Sequence, residues 1–320
     1  MAGPVSIKQT SFILFVLGLL ILTQCSGSEN NGFNLKDALI PVDEIYHGGP
    51  AKDGIPAIDN PRFQQADEAV NLRSEMRVLG IRRNGVSKAY PVSILNWHEI
   101  VNDRIGGEPV VITYCPLCGS GVAYSARMGG SVLHFGVSGL LYNSDVLLYD
   151  RETESLWSQL KHQAVSGKKK GTRLKMLTLE HTTWGCWLEL HPETLVLSED
   201  TGYLRSYGVD PYAGYENDEG LYFPVSNPDP RYHPKARIIG LEVDGAWKAY
   251  PFSELDKAGG RITDHFAGSD YIISYDRQSR SAWVEDHQGG QVPAVSTFWF
   301  AWTAFHPQSH VYVSSPETER

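Results

Sequence analysis

Cysteine is scarce in this chain, with four among 320 residues. Cys25 closes a hydrophobic leader, so Cys115, Cys118 and Cys186 are left for the mature fold. An odd number excludes a fully paired disulfide framework. Long apolar runs are also lacking. Phe12 to Leu22 is hydrophobic or glycine throughout but too short for a stable membrane span. Positive charge is in deficit, at 28 Lys and Arg against 37 Asp and Glu. A net charge of -9 argues against a phosphate-backbone binder, and no nucleic-acid partner is expected. The local run Lys168-Lys169-Lys170, with Arg173 and Lys175, reads as a solvated loop. No phosphate-cradling glycine loop, serine elbow or tandem His-Glu helix motif occurs.

What is present begins with a targeting pattern. Lys8 precedes the apolar run, whose length suits a signal peptide, and Leu22-Thr23-Gln24-Cys25 follows. This resembles a bacterial lipoprotein signal, in which the cysteine is lipidated and becomes the mature N-terminus. Gln24 departs from the small residue usual there. The expectation is an exported protein of the cell envelope, on the periplasmic or cell-surface side, held to the membrane by lipid on Cys25. A plain cleaved signal or an uncleaved anchor is the alternative. Residues 26–39 then form a flexible tether.

The body contains a repeat. Gly80 to Leu95 returns as Gly240 to Leu255, with eight of sixteen positions identical. Thr182, Trp184, Trp187, His191 and Pro192 recur at the same spacing as Thr297, Trp299, Trp302, His306 and Pro307. The first copy carries Cys115-Pro116-Leu117-Cys118-Gly119 where the second has Asp276-Arg277-Gln278-Ser279-Arg280. Residues shared by both copies read as structural, and those confined to the first are where chemistry is sought. The organisation expected is an arm over 40–77, a first repeat over 78–202 and a connector over 203–237. A second repeat without cysteines follows over 238–313, then a tail over 314–320. Residues from about 133 to 178 have no counterpart in the second copy. This insert carries His134, Tyr142, Asn143, Asp145, Asp150, Arg151, Trp157, Gln159 and His162.

Local signals favour β structure. Asn84-Gly85 between two β-prone runs predicts a hairpin, and Asp244-Gly245 supports it independently. Residues 93–101 predict a short helix capped by Ser93. Val110 to Tyr114 reads as a buried strand and Gly121 to Ser125 as its return, with the cysteine segment as the turn between them. Further strands are expected over 132–137 and 144–149, with a turn over 150–155. A short helix over 182–192 would pack Trp184 and Trp187 inward.

Cys-Pro-x-Cys-Gly lets two thiolates chelate one tetrahedral ion from a tight turn. It resembles half of a zinc-ribbon site, so the remaining ligands must come from His98, His134, Cys186 or a carboxylate. The same pair can instead cycle between dithiol and disulfide, or be structural. Covalent haem attachment would need histidine where Gly119 stands. Cys186, opposite Ala301, reads as a buried inert thiol. Trp97-His98-Glu99 faces Lys257-Ala258-Gly259, so His98 is a candidate ligand or proton carrier and Glu99 an orienter or base. His134, opposite Ala294, is the weaker imidazole. His191 and His306 recur and read as structural, bonding through a ring nitrogen. Asp145, Asp150 and Arg151 read as turn formers rather than cleft residues.

Several motifs together resemble one family: Gly48-Gly49-Pro50, Lys52-Asp53-Gly54-Ile55-Pro56, Ala89-Tyr90-Pro91, Asn96-Trp97-His98-Glu99, Tyr114-Cys115-Pro116-Leu117-Cys118-Gly119, and Asp150-Arg151 with Ser155-Leu156-Trp157-Ser158-Gln159. It is the exported bacterial and archaeal family called Domain of Unknown Function 3179. The resemblance spans about residues 40 to 312. It implies one continuous unit and carries no activity.

The fold expected is α+β, predominantly β, with two related, duplicated subdomains packed as one body. The leading functional reading is a metal-binding protein, for zinc or copper, with Cys115 and Cys118 as ligands and His98 or His134 completing the site. The second is a thiol-disulfide oxidoreductase, with Cys115 attacking, Cys118 resolving and His98 as base. The third is a non-catalytic extracytoplasmic module presenting Tyr and Trp to a small molecule or protein.

Overall fold

A computed structural model describes residues 30–314. The leader with Cys25, the tether up to residue 29 and the tail from residue 315 lie outside the described residues. The protein is predominantly β, with five small sheets of four or five strands in a propeller-like ring. Among the described residues no helix is long and apolar enough to cross a membrane.

The hairpin signals translate directly into geometry. Strands Arg77–Arg83 and Val86–Pro91 pair with Arg83 opposite Val86. The two turn residues, Asn84 and Gly85, take φ of 49° and 80°. Strands Arg237–Val243 and Ala246–Pro251 repeat this, with Asp244 and Gly245 at 48° and 80°. Both central residues of a type I′ turn need positive φ, which Asn, Asp and Gly tolerate best.

One sheet orders its strands Glu180–Thr183, Arg77–Arg83, Val86–Pro91, Leu195–Leu197 and Phe63–Gln65. A second orders them Met176–Leu177, Ser120–Ser125, Glu108–Cys115 and Ile100–Ile105. Two more sheets come from the C-terminal half. One runs Val295–Phe298, Arg237–Val243, Ala246–Pro251 and His310–Val311. The other runs Arg261–Phe266, Ser269–Asp276, Ser281–Asp286 and Gln291–Val292. The fifth sheet joins Ile45–His47 from the arm to Phe135–Tyr142, Asp145–Asp150, Leu156–Ser158 and Gln163–Ala164. The insert without a counterpart thus supplies four of that sheet's five strands.

The shared residues make the same contacts in both halves. A Cβ on Gly80 would lie 2.2 Å from the Trp187 ring, and one on Gly240 would lie 2.0 Å from Trp302. Only glycine lets these strands approach their tryptophans. Lys88 Nζ and Tyr90 Oη both bond the Asp103 carboxylate, at 2.8 and 2.6 Å. Lys248 and Tyr250 meet Asp264 in the same way, at 2.6 and 2.7 Å.

Several expectations need correction. The first helix, α1, is Val92–His98, and Pro91 stands at its N-cap. Ser93 lies inside the first turn, because the strand runs straight into the helix and leaves no extended residue for a serine cap. The stretch 132–137 is interrupted: Ser131–Val132 ends a small hairpin and the sheet strand starts at Phe135. The tryptophan helix, α2, is Trp184–Leu190, capped by Thr183, with both tryptophans buried. His191 and His306 pack tilted against Trp187 and Trp302, with ring centroids 3.9 and 4.4 Å apart, rather than anchoring through a ring nitrogen.

Candidate metal centre

The cysteine segment is the turn between the two central strands of its sheet. Cys115 ends Glu108–Cys115, pairs with Ser120, and leaves Pro116 to Gly119 to reverse the chain. Gly119 has a φ of 58°, and a Cβ there would lie 2.7 Å from the Phe298 ring. The turn is fastened from the other half of the molecule. Phe298 N and Thr297 Oγ1 each donate to the Cys118 carbonyl at 2.9 Å.

The insert's hairpin brings the third member. Tyr142 pairs with Asp145 across Asn143 and Ser144, both at positive φ. The Ser144 carbonyl accepts from Cys118 Sγ at 3.4 Å and Cys115 Sγ at 3.5 Å. One ligand atom each from Cys115, Cys118 and Asp145 lies within 4.8 Å of the others. All three residues are buried. Asp145 Oδ2 accepts the Leu160 N–H at 3.0 Å, while buried Oδ1 makes no hydrogen bond of ordinary geometry, and the nearby Cys115 thiol and Val146 N–H favour the ionised carboxyl. Burial pushes the Asp145 carboxyl up to about 8 and raises the Cys118 thiol as well, with Cys115 adding to the latter. Two thiols and a carboxyl this close together are a ligand set compatible with a metal ion.

A cavity of about 130 Å³ adjoins Cys115 and Pro116. Ile55, Leu117, Val137, Leu141, Val146 and Phe223 give it apolar walls. Glu99 lies on the same wall, buried and with no hydrogen bond to its carboxyl among the described residues. Burial pushes that carboxyl up to about 8. Glu99 ends α1 at a φ of 58°, and its backbone is clamped, N–H to Leu95 O and carbonyl to Tyr114 N. A non-glycine residue in that conformation costs energy that its surroundings must offset. The connector closes the cavity with Tyr212, Tyr222 and Phe223. It is tied to the hairpin tip, with Ser144 Oγ donating to Phe223 O and Ser226 N to Asn143 Oδ1.

Among the expected ligands, the structure brings Cys115 and Cys118 together and leaves both imidazoles elsewhere. His98 Nδ1 donates to Pro56 O at 2.7 Å, which makes Nε2 the acceptor for Tyr207 Oη at 2.6 Å. Both ring nitrogens are therefore engaged, and burial lowers the ring's affinity for a proton. His134 is exposed and pairs with Glu152 at 2.7 Å. Cys186 is half-buried rather than buried, on α2. Asp150 is a turn former, accepting from Thr153 and from Trp157 Nε1. Asp145 is not. Its reading as a turn residue fails because the turn is made by Asn143 and Ser144, and Asp145 points inward at the first strand position.

Residues 52–292 match the family described as "Protein of unknown function (DUF3179)". The chain belongs to this family. No curated protein and no solved structure matches the chain. The DUF3179 match takes in the cysteine turn, the insert and the connector together. It thus spans each segment that contributes to this centre.

Proposed function

We propose that this DUF3179 protein is a metal-binding protein of the cell envelope, with Cys115, Cys118 and Asp145 as ligands. The observation that carries the reading is the partnerless Asp145 Oδ1, buried beside two thiols. Two thiolates and one carboxylate suit Zn²⁺ in tetrahedral coordination, with a fourth position toward the Glu99 cavity. Cu(I) shares the taste for thiolates, and the hard carboxylate weighs toward zinc. Glu99 would meet whatever small molecule enters. The two halves are read as a duplicated framework in which only the first kept a ligand set; the like strand orders and the two Lys-Asp-Tyr groups support this. Export and lipid attachment at Cys25 complete the proposal and rest on the leader pattern.

Elemental analysis of purified protein tests the centre. About one equivalent of metal is expected in the wild type and none in Cys115→Ser/Cys118→Ser. Equal metal in both ends the reading.

A second reading, thiol-disulfide exchange, is favoured by one observation: both sulfurs converge on the Ser144 carbonyl, and Cys115 borders the cavity. The raised Cys118 thiol counts against it, since exchange needs thiolate. Redox titration of the pair separates the two. A pair that stays reduced at all accessible potentials leaves metal binding alone.

A further inference from the structure

Glu99 occupies a backbone position that the other half of the molecule gives to glycine. Its N–H donates to Leu95 O at 2.8 Å and its carbonyl accepts from the Tyr114 N–H at 2.7 Å, at a φ of 58°. Gly260 makes the same two bonds, to Leu255 O and from the Tyr275 N–H, at a φ of 83°. It lies one residue beyond the Gly259 that sequence spacing sets opposite Glu99. Glycine takes such an angle without strain, and a glutamate does not. The carboxyl adds a second cost, because it is buried and carries no hydrogen bond among the described residues. Neither cost serves the backbone, since glycine closes the same turn in the other half.

The side chain borders the cavity of about 130 Å³ beside Cys115. No lysine, arginine or histidine lines that cavity. Every group on its walls that can ionise is an acid: the Glu99 carboxyl, the Cys115 thiol, and the Tyr212 and Tyr222 phenols. Burial alone pushes the Glu99 carboxyl up to about 8, with no neighbouring cation to hold it down. Burial and then Glu99 raise the Tyr212 phenol, so that hydroxyl stands within the carboxyl's field. An anionic ligand would meet only groups of its own sign, whereas a cation supplies the counter-charge that Glu99 lacks.

Three aromatic rings, Tyr212, Tyr222 and Phe223, share the wall with Glu99. Ammonium groups are attracted both to carboxylates and to aromatic faces. Ile55, Leu117, Val137 and Val146 complete the lining with surface suited to an alkyl chain. A dry cavity of roughly 150 Å³ accommodates benzene, so this one has room for about five non-hydrogen atoms. Tyr222 is exposed, which sets the entrance on the connector side. We propose that this cavity binds a small primary alkylammonium ion, with its nitrogen on the Glu99 carboxylate and its chain among the apolar walls. The site adjoins the proposed metal centre and does not depend on it.

NMR titration of the purified protein with isobutylammonium chloride tests it, at an ionic strength fixed with sodium chloride. Isobutanol serves as the neutral ligand of the same shape and isobutyrate as the anion. One saturable site is expected for the ammonium ion, at least about tenfold weaker for isobutanol and absent for isobutyrate. Glu99→Gln keeps the shape of the side chain. It should weaken isobutylammonium by about tenfold or more and leave isobutanol within about threefold. No saturable binding, isobutanol or isobutyrate as tight as the ammonium ion, or unchanged affinity in Glu99→Gln each overturn the proposal. The three-ligand comparison uses wild-type protein, so it decides the matter even if Glu99→Gln does not fold. Binding should persist with chelator present. Binding that chelator abolishes and Glu99→Gln retains would assign the amine to the metal and overturn the proposal. Metal analysis of the same samples is independent of these affinities, so the metal centre and this site can fail separately.

Discussion

Asp145 gives one carboxylate oxygen to the Leu160 N–H and keeps the other buried and unbonded. On the reading proposed above, this division of labour lets the residue serve as both a structural pin and a ligand. The bond to Leu160 needs only an acceptor, which an amide supplies equally well. The other oxygen makes no hydrogen bond of ordinary geometry, and the carboxyl lies within 4.8 Å of the two thiols.

Asp145→Asn should therefore separate metal binding from folding. Without metal, its stability should lie within about 1 kcal/mol of the wild type, since the Leu160 bond survives and no full charge is lost. Metal affinity should fall at least tenfold. A chelator should lower the wild-type melting temperature by several degrees, because a ligand at a thousand times its Kd adds about 4 kcal/mol. It should leave Asp145→Asn unmoved. Thermal melts with and without chelator, alongside metal analysis, check both halves. An Asp145→Asn protein that keeps its metal and its chelator response would remove the carboxylate from the site.

Gly119→Ala addresses the turn that holds the sulfurs. The position combines a φ of 58° with a Phe298 ring that a Cβ would approach to 2.7 Å. Left-handed backbone costs a non-glycine residue about 1 kcal/mol, and overpacking typically adds 1–3. A loss of roughly 2–4 kcal/mol is expected by denaturant titration. The Phe298→Leu background should recover part of it by making room. No recovery would mean that the backbone angle alone sets the cost.

Much of this architecture is legible in the residues because its causes are local. Asn84-Gly85 and Asp244-Gly245 encode their own turns, and the β-branched run before Cys115 can hardly do anything but form a strand. Comparing the copies also marks the insert as a place to search. What comparison cannot supply is direction. His98 and Glu99 vanish together from the second half, yet the helix ends between them and sends them apart. The imidazole goes to Pro56 and Tyr207 and the carboxyl to the cavity. Asp145 stands thirty residues beyond Cys115, and its role depends on a second hairpin aiming its tip at the first. Nothing in sequence spacing encodes that meeting.

His162 supplies a pH test. Its ring is 5% exposed, with Nδ1 bonded to Tyr124 Oη at 2.8 Å. Burial and then Arg173 push its pKa down to about 4, so the imidazole is neutral although Glu242 stands 4.0 Å from Nε2. The unfolded chain takes up a proton near the ordinary 6.5 and the folded one refuses it until about 4. Stability from this residue is thus complete above 6.5 and lost as pH falls through that window, on the order of 3 kcal/mol. Glu99 and Asp145, both pushed up to about 8, act in the opposite sense, stabilising below the usual carboxylate range and losing that as pH rises to 8. The difference between wild type and His162→Gln isolates the imidazole. That difference should narrow as pH drops from 6.5 to 4 and stay flat above 7. A constant difference across the range would show that folding does not change the affinity of His162 for a proton.

The recurring Lys-Asp-Tyr groups offer a comparison between the halves. Lys88 and Asp103 are buried more deeply than Lys248 and Asp264, with side-chain exposures of 9% and 7% against 15% and 17%. Removing one partner of a buried pair strands the other charge, at about 3–5 kcal/mol, whereas water entering a half-open pair reduces that penalty. Asp103→Asn should therefore destabilise the protein more than Asp264→Asn, although the two carboxylates bond the same residue types. Tyr90 and Tyr250 each lose a charged acceptor and keep a neutral one in these variants, so their contributions change alike. Adding Lys88→Met to Asp103→Asn should return most of the loss, since it replaces the stranded ammonium, which lies 3.7 Å from the centre of the Phe63 ring, with an apolar side chain. Denaturant midpoints of the four proteins decide it. Equal losses in the two single variants would mean that burial does not set the strength of these pairs, and that both halves tolerate an unpaired lysine equally.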